Sequence, residues 1–248
     1  MSIFTEIAPQ ALAWLVGAAL IAGLVRGFSG FGTSMIFLPV AGQFLSPFAA
    51  LTALAVMDLF GPMAMVPRAL RDGHPADVLR LVAGLALAMP LGVWVLTIVE
   101  PTVFRYAVSL LALGLLALLI AGLRYRGQLT PPMVTGTGAL GGLLGGSVGL
   151  PGPPVIMLYM ASALPASAIR ANITLYLLLA DFALLALLWV FGELVWQALA
   201  LGGVLVVPYL TGVLLGGWMF VPGREALYRA VAYGVIAASA LSGLPVWD

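Results

Sequence analysis

Two carboxylates, Asp58 and Asp181, and one arginine, Arg26, lie inside apolar stretches of this 248-residue chain, where a charge has no water to hold it. An arginine near the centre of a bilayer costs about 2.5–3.5 kcal/mol on insertion scales, so Arg26 must be paired or face water. A carboxyl at such depth is protonated or partnered, and could carry a coupling proton. The structural alternative for Asp58 and Asp181 is an ion pair with Arg26 or Arg170 that ties helices together. Arg26 itself reads either as an anion ligand or as a side chain that snorkels to the interface. Arg170, with Asn172 two residues on, forms a secondary pair of candidates, interfacial or reaching a cavity.

A second set of candidates is defined by backbone rather than charge. Gly27, Gly30 and Gly32 surround Ser29 and lead into Thr33 and Ser34, while Gly146, Ser147, Gly149, Gly152, Pro153 and Pro154 form a matching run that ends at Tyr159. Glycine lacks a Cβ and proline lacks an N–H, so no uninterrupted helix passes through either run. A half-helix that starts after such a break exposes unpaired amides and the positive end of its dipole, and glycine lets an oxyanion approach them closely. The half-helices beginning near Thr33 and Pro154 are the expected anion contacts. The hydroxyls of Ser29, Thr33, Ser34, Ser147 and Tyr159 could add donors. For any one of the serines and threonines the plainer role is a bond to its own helix carbonyl.

The composition decides where such breaks can exist. With 63% hydrophobic and 8% charged residues the chain lacks the polar surface that a water-soluble domain presents. It reads as an integral membrane protein. A net charge of +1 without a basic run excludes a nucleic-acid partner. No cysteine is present, which removes disulfides and thiolate chemistry, and no cofactor or metal is expected, since one histidine and scattered acids cannot supply three zinc ligands. The first residues carry Glu6 and no basic residue, unlike a cleavable signal peptide.

Apolar runs cover 10–45, 48–67, 76–99, 102–123, 132–164, 167–191, 194–220 and 223–246. Most are near the ~20 residues that a spanning helix needs. The runs 10–45 and 132–164 are too long for one crossing, and each reads as a hairpin of two short helices with its tip in the bilayer, where backbone is broken only if it lines a protein-enclosed cavity. These two runs also repeat one another: Gly23, Leu24, Gly27 and Gly30 recur at constant spacing as Gly142, Leu143, Gly146 and Gly149. After one inserted residue Gly32, Ile36 and Leu38 recur as Gly152, Ile156 and Leu158, and further on Pro90 parallels Pro208, Asp58 parallels Asp181 and Pro101 parallels Pro222. The expected organisation is repeat one over 1–123, a cytoplasmic linker over 124–131 and repeat two over 132–248.

Orientation follows from the arginines. The loop with Arg68, Arg71 and Arg80 and the link with Arg124 and Arg126 are the basic connections, which places both on the cytoplasmic side. Counting spans outward from them, repeat one starts outside and repeat two inside. The expected fold is all-α: a polytopic membrane protein of two inverted-topology repeats, each a glycine-broken hairpin followed by three transmembrane helices. The tryptophans fall near predicted span ends, as interfacial belt residues do.

The paired signatures GFSGFGTSMIFLP, from Gly27 to Pro39, and GGSVGLPGPPVIMLY, from Gly145 to Tyr159, resemble those of the TauE/SafE sulfite exporter family. The resemblance spans nearly the whole chain, with Pro151, Pro153 and Pro154 replacing a plainer glycine run and Tyr159 replacing the proline that Pro39 supplies. It implies a membrane transporter for a small anion such as sulfite, another sulfur oxyanion, a sulfonate or a small carboxylate, multi-pass in the inner membrane. Proton or sodium coupling and a homo-oligomer are compatible with it. The alternatives are a passive anion channel and an intramembrane serine protease. GFSG at Gly27 to Gly30 resembles a rhomboid serine motif, but the single histidine, His74, lies in a polar loop.

Overall fold

A computed structural model describes residues 8–63, 65–122, 129–159, 162, 164–221 and 223–246. Arg124 and Arg126 of the basic link, Pro222, Trp247 and Asp248, and the first seven residues with Glu6, lie outside the described residues. The described chain is α-helical: α1 Pro9–Ser29, α2 Thr33–Ala41, α3 Pro47–Met63, α4 Val66–Asp72, α5 Pro75–Ile98, α6 Pro101–Ala121, α7 Pro131–Val148, α8 Gly152–Tyr159, α9 Ala166–Val190, α10 Trp196–Met219 and α11 Glu225–Gly243. Among the described residues six helices are long and apolar enough to cross a membrane, or seven if α3 and α4 form one bent span. This is the fold of a polytopic membrane protein. Trp14, Trp94, Trp189, Trp196 and Trp218 are all exposed and lie toward helix ends, where a belt residue meets the lipid headgroups.

Both expected breaks are present. α1 ends at Gly30, whose φ is +81° and whose N–H bonds to the Arg26 carbonyl at 2.8 Å, and Gly32, at φ +102°, opens α2. α7 ends at Gly149, φ +69°, whose N–H bonds to the Gly145 carbonyl at 3.1 Å, and Leu150 N–H reaches back to the Leu144 carbonyl at 3.2 Å. In each case the chain then folds back on the helix it has left. Thr33 returns to Arg26, and the Pro151 carbonyl lies where a Cβ on Gly141 would come within 2.7 Å of it.

The arms are less equal than the sequence suggests. α1 has 21 residues and is a full span by itself, whereas α2 has nine, so the first run is one long helix with a short return rather than two short helices. The run 48–67 is likewise divided, into α3, which ends one residue past Pro62, and α4, which starts one residue before Pro67. At Gly30 nothing lies within 4 Å of an added Cβ, so a substitution there feels only the backbone conformation. Gly30→Val is expected to cost about 1–2 kcal/mol, the left-handed penalty for an ordinary residue, and Gly30→Asn clearly less. Thermal denaturation of the two variants in detergent checks the order; equal losses would mean that the turn does not control the break.

Two compact units form, the first from 1–61, 100–116 and 193–248, the second from 62–99 and 117–192. Each therefore draws on both halves of the sequence. In unit one α1 packs along α10, and α2 against α1 and α11; in unit two α7 packs along α5, and α9 against α4 and α5. The sequence-matched glycines make the two long contacts. A Cβ on Gly23 would lie 2.1 Å from the Tyr209 carbonyl oxygen, and one on Gly142 2.6 Å from that of Leu85. Gly27 and Gly146 repeat this one turn on, at 2.3 Å from the Val213 carbonyl and 2.4 Å from that of Met89. Small residues at four-residue spacing let membrane helices touch backbone to backbone.

Candidate functional site

The first break gathers four polar side chains in unit one. Arg26 lies in the last turn of α1, where the negative end of the helix dipole favours a cation. The reversal through Gly30 and Gly32 returns Thr33 to it, and the close α1–α10 contact brings Tyr209 alongside. Arg26 Nη1 donates to Asp58 Oδ2 at 2.9 Å and to Thr33 Oγ1 at 3.2 Å. The Tyr209 hydroxyl donates a very short bond to Asp58 Oδ1 and lies 3.4 Å from Thr33 Oγ1. The ring is closed and shielded: Tyr209 is wholly buried, Thr33 2% exposed, and the Arg26 and Asp58 side chains 10% and 11% exposed. Gly61 makes room for the tyrosine, since a Cβ there would meet its hydroxyl at 2.9 Å.

An ion pair this buried persists because each oxygen of Asp58 has its own donor, which offsets the loss of water that would otherwise make the pair unfavourable. The structural alternative for Asp58, an ion pair with Arg26, is thus realised. The pair stands at the mouth of the first helix break. Beside it, the first turn of α2 offers the amides of Thr33, Ser34 and Met35, which have no intrahelical acceptor. Ser34 is half-buried next to them.

The second break is built differently. The spacing that matches Gly27 with Gly146 puts Gly145 opposite Arg26, and that matching Gly32 with Gly152 puts Pro153 opposite Thr33. No side-chain cation stands there. α8 starts at Gly152, and because Pro153 and Pro154 fill the next positions its first turn has lost two amides. Gly149, Gly152, Pro153 and Pro154 are all buried, and the Tyr176 hydroxyl closes over the Pro151 carbonyl at 3.5 Å.

The remaining candidates divide by unit. The Ser29 hydroxyl donates to the Val25 carbonyl at 2.7 Å and that of Ser147 to the Leu143 carbonyl at 2.7 Å, so both take the plainer role within their own helix. In unit two the buried Asn172 links elements: its Nδ2 donates to the Tyr159 hydroxyl at 3.1 Å, and its Oδ1 accepts the His74 amide at 2.7 Å. This pins the end of α8 to the turn between α4 and α5. Arg170 is exposed and shares a surface cavity of about 280 Å³ with Arg68, Asp72 and Thr174. Asp181 is buried on α9.

Tyr209 is the site residue that sequence reasoning undervalues, because aromatic side chains in apolar helices are usually packing or belt. The signal was its position: it stands mid-way along α10, away from either interface, directly after Pro208.

Apolar spans of membrane-crossing length, with a buried charge cluster at a helix break, define the class as a polytopic integral membrane protein. Residues 15–243 match the family described as Sulfite exporter TauE/SafE, and the chain belongs to that family, whose members are membrane transporters. No curated protein and no solved structure matches it.

Proposed function

We propose that the protein is a secondary transporter that carries a small oxyanion, namely sulfite, another sulfur oxyanion, a sulfonate or a small carboxylate, by alternating access across the inner membrane. Its two repeats are inserted with opposite orientation, and the anion binds at the first break, on Arg26, the Thr33 hydroxyl and the free amides that open α2. The observation that carries this reading is a largely buried guanidinium in the last turn of α1, bonded across the break to the Thr33 hydroxyl that opens α2, whose present counter-ion is itself a carboxylate. The pocket chemistry thus already accommodates two oxygens on one centre. Asp58, and Asp181 on α9, are the carboxyls available to a coupling proton or sodium ion.

Reconstituted protein tests this with flux measured over sulfite, thiosulfate, alkyl sulfonates and small carboxylates. Saturating flux that responds to a pH or sodium gradient is expected for at least sulfite. Flux that rises linearly with concentration and follows only the anion gradient would identify a passive channel instead.

A further inference from the structure

We propose that Asp58 is an internal stand-in for the transported anion, displaced from Arg26 by a proton, so that one proton enters the site with each singly charged anion. The inference rests on the anion site proposed above and specifies how that site is regulated.

The geometry is that of competition for the same donors. Asp58 Oδ2 takes the Arg26 Nη1 bond and Oδ1 takes the Tyr209 hydroxyl, so the two oxygens of one carboxylate hold both donors at once. The groups facing Asp58 are Arg26 from α1 and Tyr209 from α10, with the neutral Thr33 hydroxyl of α2 touching both. While Asp58 is ionised the pair is neutral. A second anion would then bring an uncompensated charge into a shielded site, which is strongly unfavourable where water is scarce.

Protonation of Oδ2 changes the balance. Asp58 becomes a neutral acid whose charge no longer offsets that of the guanidinium, and a singly charged oxyanion can take its place with no net change in charge. The proton stays on Asp58 until the anion leaves, when the carboxylate returns to Arg26. Tyr209 supplies the second donor, so the anion best able to replace the carboxylate has two oxygens on one central atom, as sulfite, sulfonates and carboxylates have. A halide presents a single atom in place of two separated oxygens, and so cannot reproduce the carboxylate's arrangement on the two donors.

By linkage, anion affinity and proton affinity must reinforce each other equally. Sulfite binding to the purified full-length protein is measured by titration calorimetry in buffers of differing ionisation heat, over a pH series, for the wild type and Asp58→Asn. The wild type is expected to take up one proton more than Asp58→Asn per sulfite bound, with affinity falling up to about tenfold per pH unit on the alkaline side. The neutral variant is expected to bind at a pH dependence set by sulfite alone, and Tyr209→Phe to bind sulfite about tenfold or more weakly while chloride affinity is unchanged. Equal proton uptake by the wild type and Asp58→Asn overturns the inference.

The parent reading fails separately. If the Arg26→Ala/Asp58→Asn double variant binds sulfite as tightly as the wild type, or if no sulfite binds to either wild type or Asp58→Asn, the anion site itself is wrong. If the double variant fails to bind while wild-type binding takes up no extra proton, the site stands and only the stand-in role of Asp58 falls.

Discussion

Arg26→Ala is expected to abolish anion transport and to lower stability by about 3–5 kcal/mol, the range for breaking a buried ion pair by removing one partner. Among the described residues Asp58 would keep the Tyr209 hydroxyl as a donor to its charge and lose that of Arg26. The two losses have different causes, and a second variant separates them. Adding Asp58→Asn removes the stranded charge, so Arg26→Ala/Asp58→Asn is expected to regain most of the stability and none of the transport. Thermal denaturation in detergent and flux in proteoliposomes give the two readings. Transport restored together with stability would show that Arg26 only holds the fold.

Gly23→Ala is the second large effect, and it reaches the same site through packing. Its new Cβ would lie 2.1 Å from the Tyr209 carbonyl oxygen and 3.1 Å from the Val213 nitrogen, both backbone atoms of α10 that no rotamer change can move. α10 must shift outward, carrying Tyr209 away from Asp58. Overpacking of this kind costs about 1–3 kcal/mol, and a rigid helix-on-helix contact belongs at the upper end. Gly203→Ala on the same helix is the control, because nothing lies within 4 Å of its Cβ, and alanine is the better helix former. It is expected to leave stability and transport unchanged or slightly raised. Similar losses from both substitutions would show that α10 tolerates no side chain anywhere, and that the α1 contact is not the cause.

Much of the fold was legible because glycine and proline act locally. A break at Gly30 to Gly32 and another at Gly149 to Pro151 fall where glycine takes the left-handed conformation that ends a helix, at Gly30, Gly32 and Gly149. Arm lengths were not legible, since a continuous apolar run carries no mark of where one helix becomes two; the nine residues of α2 beside the 21 of α1 depend on packing. Gly27 and Gly146 show the limit of reading a residue type without its spacing. Both suit close approach by an oxyanion, but they recur four residues after Gly23 and Gly142, and the structure fills their open faces with the backbone of a neighbouring helix. Gly212 and Gly216 on α10 carry the same spacing from the other side.

The candidate site was legible in its charges and not in its closure. Arg26 and Asp58 are conspicuous because charge is rare in these segments, and an ion pair between them was one of two readings the sequence left open. What joins them into a ring is Tyr209, far along the chain on α10, brought there by a contact between glycines that no local pattern reveals. The same reasoning explains the difference between the two breaks. Duplicated backbone signals predict two equivalent anion sites, but Gly145 and Pro153 stand where Arg26 and Thr33 would be needed, so the second break has no counterpart of that side-chain pair.

The most direct measurement of that assignment is the rise in melting temperature that sulfite produces. Wild-type protein is expected to be stabilised progressively as sulfite is raised, since a ligand that binds only the folded state must do so, and Arg26→Ala/Asp58→Asn is expected to show no rise at any concentration. A double variant stabilised by sulfite as much as the wild type would contradict the account, because the anion would then be held somewhere other than the Arg26 break.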